Sequence, residues 1–333
     1  MNFWKTFDGP IFALAPMEDV TDTVFREIVL SISSPKYLNV VFAEFTSVDG
    51  LCHPVGKDKV SHRLYISPTE KEWLKKNNTK IVAQIWGSDP EKFFKATKIV
   101  TQEYDFDGID INMGCPVRKI VNQIACSELI KFPDLAKEII IATKEATHLP
   151  VSVKTRTGIK THNTEQWIGS LLEVKPTAIT LHARTQKMMS AYPAEWEQVK
   201  IAVELRNQVA PDIPIIGNGD VLSVEDALQK IEQTGADGVM VGRGIFKNPF
   251  MFNLPQQEIS KQVRLELLLR HLDLFLDTWG NEKSYQIMKK FFKIYTSEFA
   301  GAADLRAKLM QTTNREEVAL LISEYLVPDN ALN

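Results

Sequence analysis

A cysteine that follows a buried apolar run is the residue best placed to do chemistry in this chain. Residues 106–111 have the composition of a buried strand, and the motif DINMGCP carries Cys115 just past the end of that strand. Parallel α/β sheets bind ligands at the carboxyl ends of their strands. Pro116 cannot continue a ladder and Gly114 has unusual backbone freedom, so we expect the thiol to lie on a shaped loop. A small apolar filler beside a turn is the alternative, because free cysteines are commonly buried.

Residues that could bind a ligand, most of them polar or glycine, stand at the ends of almost every predicted strand. In chain order they are Pro16 and Met17, Gln84, Asn112, Lys154 and Arg156, His182, Asn218 to Asp220, and Gly242 to Gly244. Residues that serve only the core would not collect at the same ends of seven strands. The pattern therefore indicates one shared site at one face of the fold.

The last two of these motifs predict a phosphate site. Loops after strands seven and eight of a parallel barrel often bind phosphate, with helix N-termini supplying backbone donors. In GNGD (217–220) and GRG (242–244), Gly219 and Gly242 allow close approach and Arg243 adds a fork of donors. The alternative is that the glycines only tighten two turns.

Lys154 and His182 follow apolar residues of their strands and are expected at the mouth of the barrel. A buried lysine without a partner is costly, so we expect an anion or an electron-rich ligand beside Lys154. A single histidine in such a place is usually a structural hydrogen-bonding residue. Next to Lys154, Gln84 and a phosphate site, we interpret His182 as a ligand contact.

The elements that must position these residues are eight short apolar runs that alternate with amphipathic segments. The runs are 11–15, 40–43, 81–85, 108–112, 151–154, 178–181, 213–217 and 239–242, and the helical segments include 90–104, 133–147, 164–173, 195–209 and 223–234. This alternation predicts an α/β fold, a (β/α)8 barrel over residues 1–250. The polar segment 49–78 is expected to carry a small hairpin or a mobile loop.

After residue 250 the pattern changes to helical spacing without strands, so residues 251–333 are predicted to form an all-helical bundle domain. Formal net charge is −3, which gives no global positive field for a polyanion. Three cysteines without paired spacing predict a reducing compartment, with neither a disulfide frame nor a metal site. No apolar run is long enough for a signal peptide or a membrane span, so we expect a soluble cytoplasmic protein.

Taken together, the motifs resemble those of the tRNA-dihydrouridine synthases, in the same order. They are APMEDVTD (15–22), FAEF (42–45), AQIWG (83–87), DINMGCP (110–116), VKTRTG (153–158), HART (182–185), GNGD and GRG, and the tail also looks like the family's helical domain. The resemblance implies an FMN-binding barrel and a helical tRNA-binding domain. It implies reduction of the C5–C6 double bond of specific tRNA uridines, with NADPH (or NADH) as electron donor. No obligate protein partner is implied, and we expect a monomer that does not bind membranes.

The resemblance also assigns roles to residues. Pro16, Met17, Gln84, Lys154 and His182 would surround the flavin ring, and Asn218, Gly219, Asp220, Gly242 and Arg243 would hold its phosphate end. Asn112 and Arg156 would contact the flipped uracil, and Cys115 would give a proton to C5 after hydride reaches C6. Arg156 or Asn112 would stabilise the developing enolate charge. Lys289, Lys290 and Arg306 would contact tRNA, although a lysine face on a helix is usually only a solvated surface.

Two other functions remain open at this point. One is an FMN-dependent barrel oxidoreductase that acts on a free pyrimidine, similar to the dihydroorotate dehydrogenases. The other is a non-catalytic RNA-binding homologue. The sequence also departs from the family's usual glycine-rich stretch after the cysteine, because residues 121–126 (VNQIAC) contain no glycine. That departure affects the expected fit of the substrate more than the flavin chemistry.

Overall fold

A computed structural model describes residues 2–253, 259–280 and 282–326 of the chain. Its centre is a ring of eight parallel strands, β1 to β8. They are Ile11–Leu14, Val40–Phe42, Lys80–Trp86, Gly108–Met113, Val151–Arg156, Ile179–His182, Ile215–Asn218 and Gly238–Val241. Each strand pairs with the next, and β1 pairs with β8, so the ring is closed. The predicted (β/α)8 barrel is confirmed, with strand ends within about two residues of those predicted.

Helices surround this ring and continue after it. In chain order, α1 to α14 are Thr23–Ile32, Val48–Cys52, Pro54–Val60, Pro68–Asn77, Pro90–Glu103, Arg118–Val121, Pro133–Glu145, Thr164–Glu173, Glu197–Val209, Val224–Thr234, Lys261–Trp279, Lys289–Tyr295, Ala302–Leu309 and Arg315–Leu326. Short 3-10 helices lie at Phe3–Lys5, Ser61–Leu64, Cys126–Lys131, Arg243–Phe246 and Tyr285–Met288. Thr46–Ser47 extends the β2 edge by pairing with the end of β3. None of the helices described is long and apolar enough to cross a membrane.

The interior of the ring changes from apolar to polar toward the carboxyl ends of the strands. Phe3 and Trp4 belong to a buried apolar cluster with Val40, Phe42 and Met240 at the lower end. Side chains two residues apart on a strand face the same side. Higher along the strands the positions in this alternation are polar, namely Gln84, Asp110, Ser152, Asn112, Lys154, His182 and Asn218. The barrel interior is therefore apolar at its lower end and polar at the carboxyl ends of the strands, which form the mouth of the barrel.

The segment between β2 and β3 is helical, and the expectation of a hairpin or a mobile loop there was wrong. Ser67 accepts a hydrogen bond from the Glu70 amide at 3.0 Å and Pro68 opens α4. Glu70 is fully buried and forms an ion pair with Arg26 of α1 at 2.6 Å. A cap, a proline at the first turn and a buried ion pair fix this segment as one of the barrel's outer helices.

The helices after the barrel pack against α1 rather than standing apart from it. Leu265 and Leu268 of α11 are in the same buried cluster as Phe25 and Ile28. The ring of Phe25 also lies 5.2 Å from that of Phe291 on α12. Within the described residues after 253 there are helices and no strand, as expected for a helical bundle. Residues 254–258, 281 and 327–333 of the predicted second domain lie outside the described residues, and the division at 250 stays a prediction.

The loop from Ala15 to Asp22, which follows β1, joins the barrel to α11 and α12. Trp279 of α11 donates from Nε1 to Asp22 Oδ2 at 2.9 Å. Lys290 of α12 donates to the Asp19 carbonyl. At its other side this loop is held by Glu44, whose Oε1 accepts from the Asp19 amide at 2.6 Å.

Candidate active site

A cavity of about 630 Å³ opens at the polar mouth of the barrel. Its lining includes all of the residues predicted to bind the cofactor except Gln84, namely Pro16, Met17, Lys154, His182, Asn218, Gly219, Asp220, Gly242 and Arg243. Arg156, Arg184 and Lys247 line it as well. A cavity of this size and position suits a ligand of cofactor size.

The deep end of the cavity presents a lysine and a histidine with unusual protonation. Burial, and then the charge of Arg156, lowers the pKa of Lys154 to about 8. Its Nζ donates to Asn218 Oδ1 at 3.1 Å, which leaves an ammonium poorly compensated. Burial, and then the charge of Lys154, lowers the pKa of His182 well below its ordinary range.

The neutral histidine has a defined tautomer. Arg184 Nη1 lies 3.0 Å from His182 Nε2, and arginine can only donate, so Nε2 accepts and Nδ1 carries the proton. Arg184 also donates to Asp220 Oδ2 at 2.5 Å and to the Tyr192 carbonyl at 2.6 Å. The Asp220 carboxylate is therefore occupied in holding Arg184, and the Arg184 charge keeps the pKa of Asp220 low against the effect of burial.

Glycine is required at the turn after β7. Gly219 has φ of +128°, and a Cβ there would lie 2.7 Å from the Ala194 Cβ. Arg243 follows β8 with a largely exposed side chain, 3.7 Å from Asp220 Oδ1. Gly219, Gly242 and Arg243 thus share one end of the cavity, as a phosphate site requires.

Below the mouth, a chain of buried hydrogen bonds runs from a carboxylate to the cysteine loop. Asp110 accepts from Ser152 Oγ at 2.6 Å and from Gln84 Nε2 at 2.7 Å. Gln84 Oε1 accepts from Asn112 Nδ2 at 2.9 Å, and Asn112 Oδ1 accepts from the amides of Gly114 and Cys115, both at 3.0 Å. Burial raises the pKa of Asp110 to about 6. Gln84 and Asn112 therefore position the loop and do not line the cavity.

Cys115 is half-buried on this loop, beside the cavity rather than in its lining. Arg156 connects the two, because it lines the cavity while its Nε donates to the Gly114 carbonyl at 2.7 Å. Its Nη1 donates to the carbonyls of Thr185 and Met189. Its Nη2 has no hydrogen-bond partner among the described residues, so a donor stays available to a ligand.

A second cysteine controls the protonation of the first. A hydrogen bond from the Cys126 side chain is the largest of the effects that lower the pKa of Cys115 to about 7, with burial opposing it. The Val117 amide and the charge of Arg156 lower the Cys115 pKa further, whereas Glu18 raises it. The thiol is thus poised near neutral pH, where a general acid is most effective.

The residues predicted to contact RNA lie on the last helices, outside the cavity. Lys290 donates to the Asp19 carbonyl, Lys289 Nζ donates to the Met310 carbonyl at 2.8 Å, and Arg306 Nη1 donates to the Thr296 carbonyl at 3.0 Å. Carbonyl partners fix these side chains without neutralising their charge, so all three keep a charge that can attract phosphate.

Sequence reasoning missed three residues of this region. Arg184 stands two positions after His182 in the HART motif, and this spacing could have suggested it as a neighbour on the same side. Glu44 lies in the FAEF motif and is buried, and its Oε2 has no hydrogen-bond partner in the described part of the chain. Cys126 carried no signal, because its contact with Cys115 comes from the path of the loop. The described residues contain no group of three or more acidic, histidine or cysteine side chains that could hold a metal ion.

Comparison with known proteins places this geometry in context. A family model described as "Dihydrouridine synthase (Dus)" matches residues 13–330. The chain is 42% identical over 327 residues to the "Probable tRNA-dihydrouridine synthase 2" of Bacillus subtilis (strain 168), with 97% of this chain and 96% of that protein covered. It is 41% identical over 326 residues to the "Probable tRNA-dihydrouridine synthase" of Staphylococcus aureus (strain COL), with 97% and 95% covered.

Among solved structures, the fold is similar to that of 6-hydroxypseudooxynicotine amine oxidase from Pseudomonas geniculata N1. The TM-score is 0.50 at 13% identity, over 73% of this chain and 47% of that chain. A likeness at this identity concerns the barrel fold alone.

Proposed function

Because the chain belongs to the dihydrouridine synthase family, we propose that it is a flavin-dependent oxidoreductase that reduces the C5–C6 double bond of uridines in tRNA. The observation that carries this proposal is the place of Arg156. It joins the cysteine loop to the cationic cavity, so the proton donor lies beside the cofactor site.

The cofactor is a flavin, and we propose FMN, because the cavity fits a phosphate-bearing, electron-rich ring. Lys154, Arg156, Arg184, Arg243 and Lys247 line it against one carboxylate, Asp220, which Arg184 already engages. The under-compensated ammonium of Lys154 needs an electron-rich acceptor. A bound FMN supplies the hydride that goes to C6 of the uracil. We propose NADPH, or NADH, as the source of its electrons.

Each cofactor residue has a separate task in this proposal. Pro16, Met17, Lys154 and His182 contact the ring, with Lys154 placing positive charge and His182 a neutral Nδ1–H donor. Asn218, Gly219, Gly242 and Arg243 hold the phosphate end. Gln84 acts from below by supporting Asn112, and Asp220 acts by orienting Arg184.

The protein's own part in the reaction is to orient the base, stabilise charge and move one proton. Arg156 donates from its free Nη2 toward the negative charge that grows on the uracil oxygen as C6 is reduced. Asn112 accepts from the Cys115 amide and so holds the cysteine loop in place, and we propose that its second amide N–H is a contact for the base. Cys115 delivers the proton to C5. Because the cavity lies inside the barrel mouth, the target base must leave its stack to reach it.

The partner in this proposal is tRNA, held by Lys289, Lys290 and Arg306 through its phosphates, and the protein acts as a monomer. Mass spectrometry of unmodified tRNA after incubation with the FMN-loaded protein and NADPH tests the reaction. A gain of two hydrogen atoms on a uridine, mapped by nuclease fragments, is expected. No gain with protein whose flavin NADPH does reduce would contradict the proposal and point to free pyrimidines.

Substitution of the proton donor separates the two half-reactions. Cys115→Ala is expected to keep FMN and its reduction by NADPH, because the thiol lies outside the cavity lining. Turnover of tRNA should fall on the order of 100-fold or more, since no positioned acid remains. Cys52→Ala, at a thiol whose Sγ donates to the Lys92 carbonyl at 3.5 Å, is the matched control and should keep full activity. Full activity of Cys115→Ala would remove the assigned role.

A further inference from the structure

Cys115 and Cys126 form a pair of thiols at the edge of the active site. Cys115 packs against a small buried cluster that contains Phe45, Ile120 and Cys126. The two side chains are close enough to shift each other's pKa, since Cys126 lowers the pKa of Cys115 and Cys115 raises that of Cys126. Ser127 ties the two segments together, because its amide and its Oγ donate to the Cys115 carbonyl at 3.3 Å and 2.7 Å.

The two thiols differ in the way that a reactive and a resolving cysteine differ. Cys115 is half-buried on the loop beside the cavity, whereas Cys126 is 0% exposed. An oxidant from solvent therefore reaches Cys115 first. The pKa of Cys115 is about 7, so a large fraction is thiolate, the form that oxidants attack. Burial raises the pKa of Cys126, which keeps its proton until the pair reacts.

We propose that Cys115–Cys126 is a redox modification site, at which hydrogen peroxide converts the pair to a reversible disulfide. In the first step the Cys115 thiolate attacks one peroxide oxygen. An S–O bond forms, the O–O bond breaks and hydroxide leaves, so Cys115 becomes a sulfenic acid. In the second step Cys126 attacks the Cys115 sulfur, the S–S bond forms and the S–O bond breaks. The Cys126 proton leaves with that oxygen as water, and each sulfur has given one electron to peroxide.

The disulfide has a direct consequence for turnover, which rests on the proposed function. Cys115 in a disulfide carries no proton and cannot serve as the acid for C5. The bond also protects Cys115, since a sulfenic acid without a neighbouring thiol proceeds to sulfinic acid, which dithiol reductants do not reverse. The cysteine pair thus makes the oxidative loss of the Cys115 thiol reversible.

The test is peroxide treatment of the FMN-loaded, full-length protein near pH 7, followed by alkylation of free thiols and tryptic mapping. Trypsin cuts after Arg118 and Lys119, so the two cysteines fall on separate peptides that only a disulfide joins. We expect the linked peptide in the wild type and in Cys52→Ala. In parallel, tRNA turnover should fall on the order of 100-fold and return after dithiothreitol.

Cys126→Ser, which is nearly isosteric, is the decisive variant. We expect no linked peptide, sulfinic acid on Cys115 and no recovery with dithiothreitol. Sulfinic acid on wild-type Cys115 at the rate seen in Cys126→Ser, with no linked peptide, would overturn the proposal. The peptide mapping shows whether the disulfide forms even if the protein shows no tRNA turnover. Absence of turnover would contradict the proposed function alone. The test also remains valid if Cys126→Ser does not fold, because the presence or absence of the linked peptide in the wild type and in Cys52→Ala is sufficient.

Discussion

Lys154 shows how a single side chain can weaken the empty protein and strengthen the loaded one. Its position was predictable, because a lysine at the end of an apolar strand must face the barrel mouth. The carbonyls that bind Arg156 and the tautomer of His182 were not predictable, since they depend on loops that meet only in the folded chain. For the same reason the sequence pointed to Cys115 but not to its neighbour Cys126. The strand pattern predicts the position of a residue in the barrel, but not which residues of distant loops contact it.

Replacement of this lysine should have opposite effects on stability and binding. The Lys154 pKa of about 8 in the folded protein is below its unfolded value. Its contribution to stability is therefore present above the unfolded pKa and is lost as pH falls through about 8. Near pH 7, Lys154→Met should make the FMN-free protein more stable, on the order of 1 kcal/mol, in thermal unfolding.

The same variant should bind FMN about tenfold or more weakly, because it removes a charged hydrogen-bond donor. A titration of FMN fluorescence measures this loss. Lys200→Ala on α9, a lysine 3.8 Å from Glu197, is the control and should change neither quantity. Equal FMN affinity in Lys154→Met would show that the ammonium does not contact the flavin.

The pH dependence of turnover follows from the thiol pair. Cys115 must be protonated to act as an acid, and its pKa is about 7, so kcat/KM for tRNA should fall as pH rises through about 7. Lys154 titrates near 8 in the same range, so the wild-type profile alone does not identify the group. Cys126→Ala removes the hydrogen bond that lowers the Cys115 pKa. The fall in kcat/KM should therefore move to higher pH in this variant. If kcat/KM falls at the same pH in Cys126→Ala as in the wild type, Cys115 is not the titrating acid.

At the scale of elements, the strands were predictable and the connections were less so. Seven of the eight strands end in one of the polar or glycine motifs described above, so their ends could be predicted from the sequence. The outer helix α4 was missed although its Ser67–Glu70 spacing and Pro68 are signals of a helix start. The loop 121–126 contains no glycine, although two of its residues have backbone angles that glycine adopts more easily. Ile124 and Cys126 take φ values of +56° and +55°, in the left-handed region that favours glycine.

The left-handed backbone at Cys126 can be tested by two substitutions that both remove the thiol. Cys126→Gly should be more stable than Cys126→Ala by about 1 kcal/mol, because alanine keeps the steric cost of positive φ and glycine does not. Denaturant unfolding of both variants measures the difference, and the lost sulfur contacts cancel between them. A more stable alanine variant would mean that the loop does not hold this conformation in solution.

At the scale of the molecule, the helical tail was predicted as a separate unit, but its packing was not. Apolar spacing identified the helices, whereas the surface on which they dock belongs to α1, and no local signal links the two. Leu265, Leu268 and Phe291 share the core with Phe25, so removing the tail would expose that core. Point substitutions are therefore the better probe of RNA binding than truncation.

Lys290 is the sharpest of these probes, because it is exposed and its only hydrogen-bond partner in the described chain is the Asp19 carbonyl. Lys290→Ala should weaken tRNA binding and reduce the slope of log Kd against log salt by about 1, since one phosphate contact is lost. FMN affinity should change little, because Lys290 does not itself line the cavity. Lys200→Ala on α9, outside the proposed contacts, serves as the matched control. An unaltered salt slope in Lys290→Ala would place RNA elsewhere on the protein.

The loop from Ala15 to Asp22 has a consequence for how the protein can be observed. One stretch of chain lines the cavity with Met17, sets Glu18 near Cys115 and offers its Asp22 carboxylate to α11 and its Asp19 carbonyl to α12. A phosphate that draws Lys290 from the Asp19 carbonyl alters the support of the same segment that walls the flavin site. We therefore expect the absorbance and fluorescence of a bound flavin to change when tRNA docks, before any uridine is reduced.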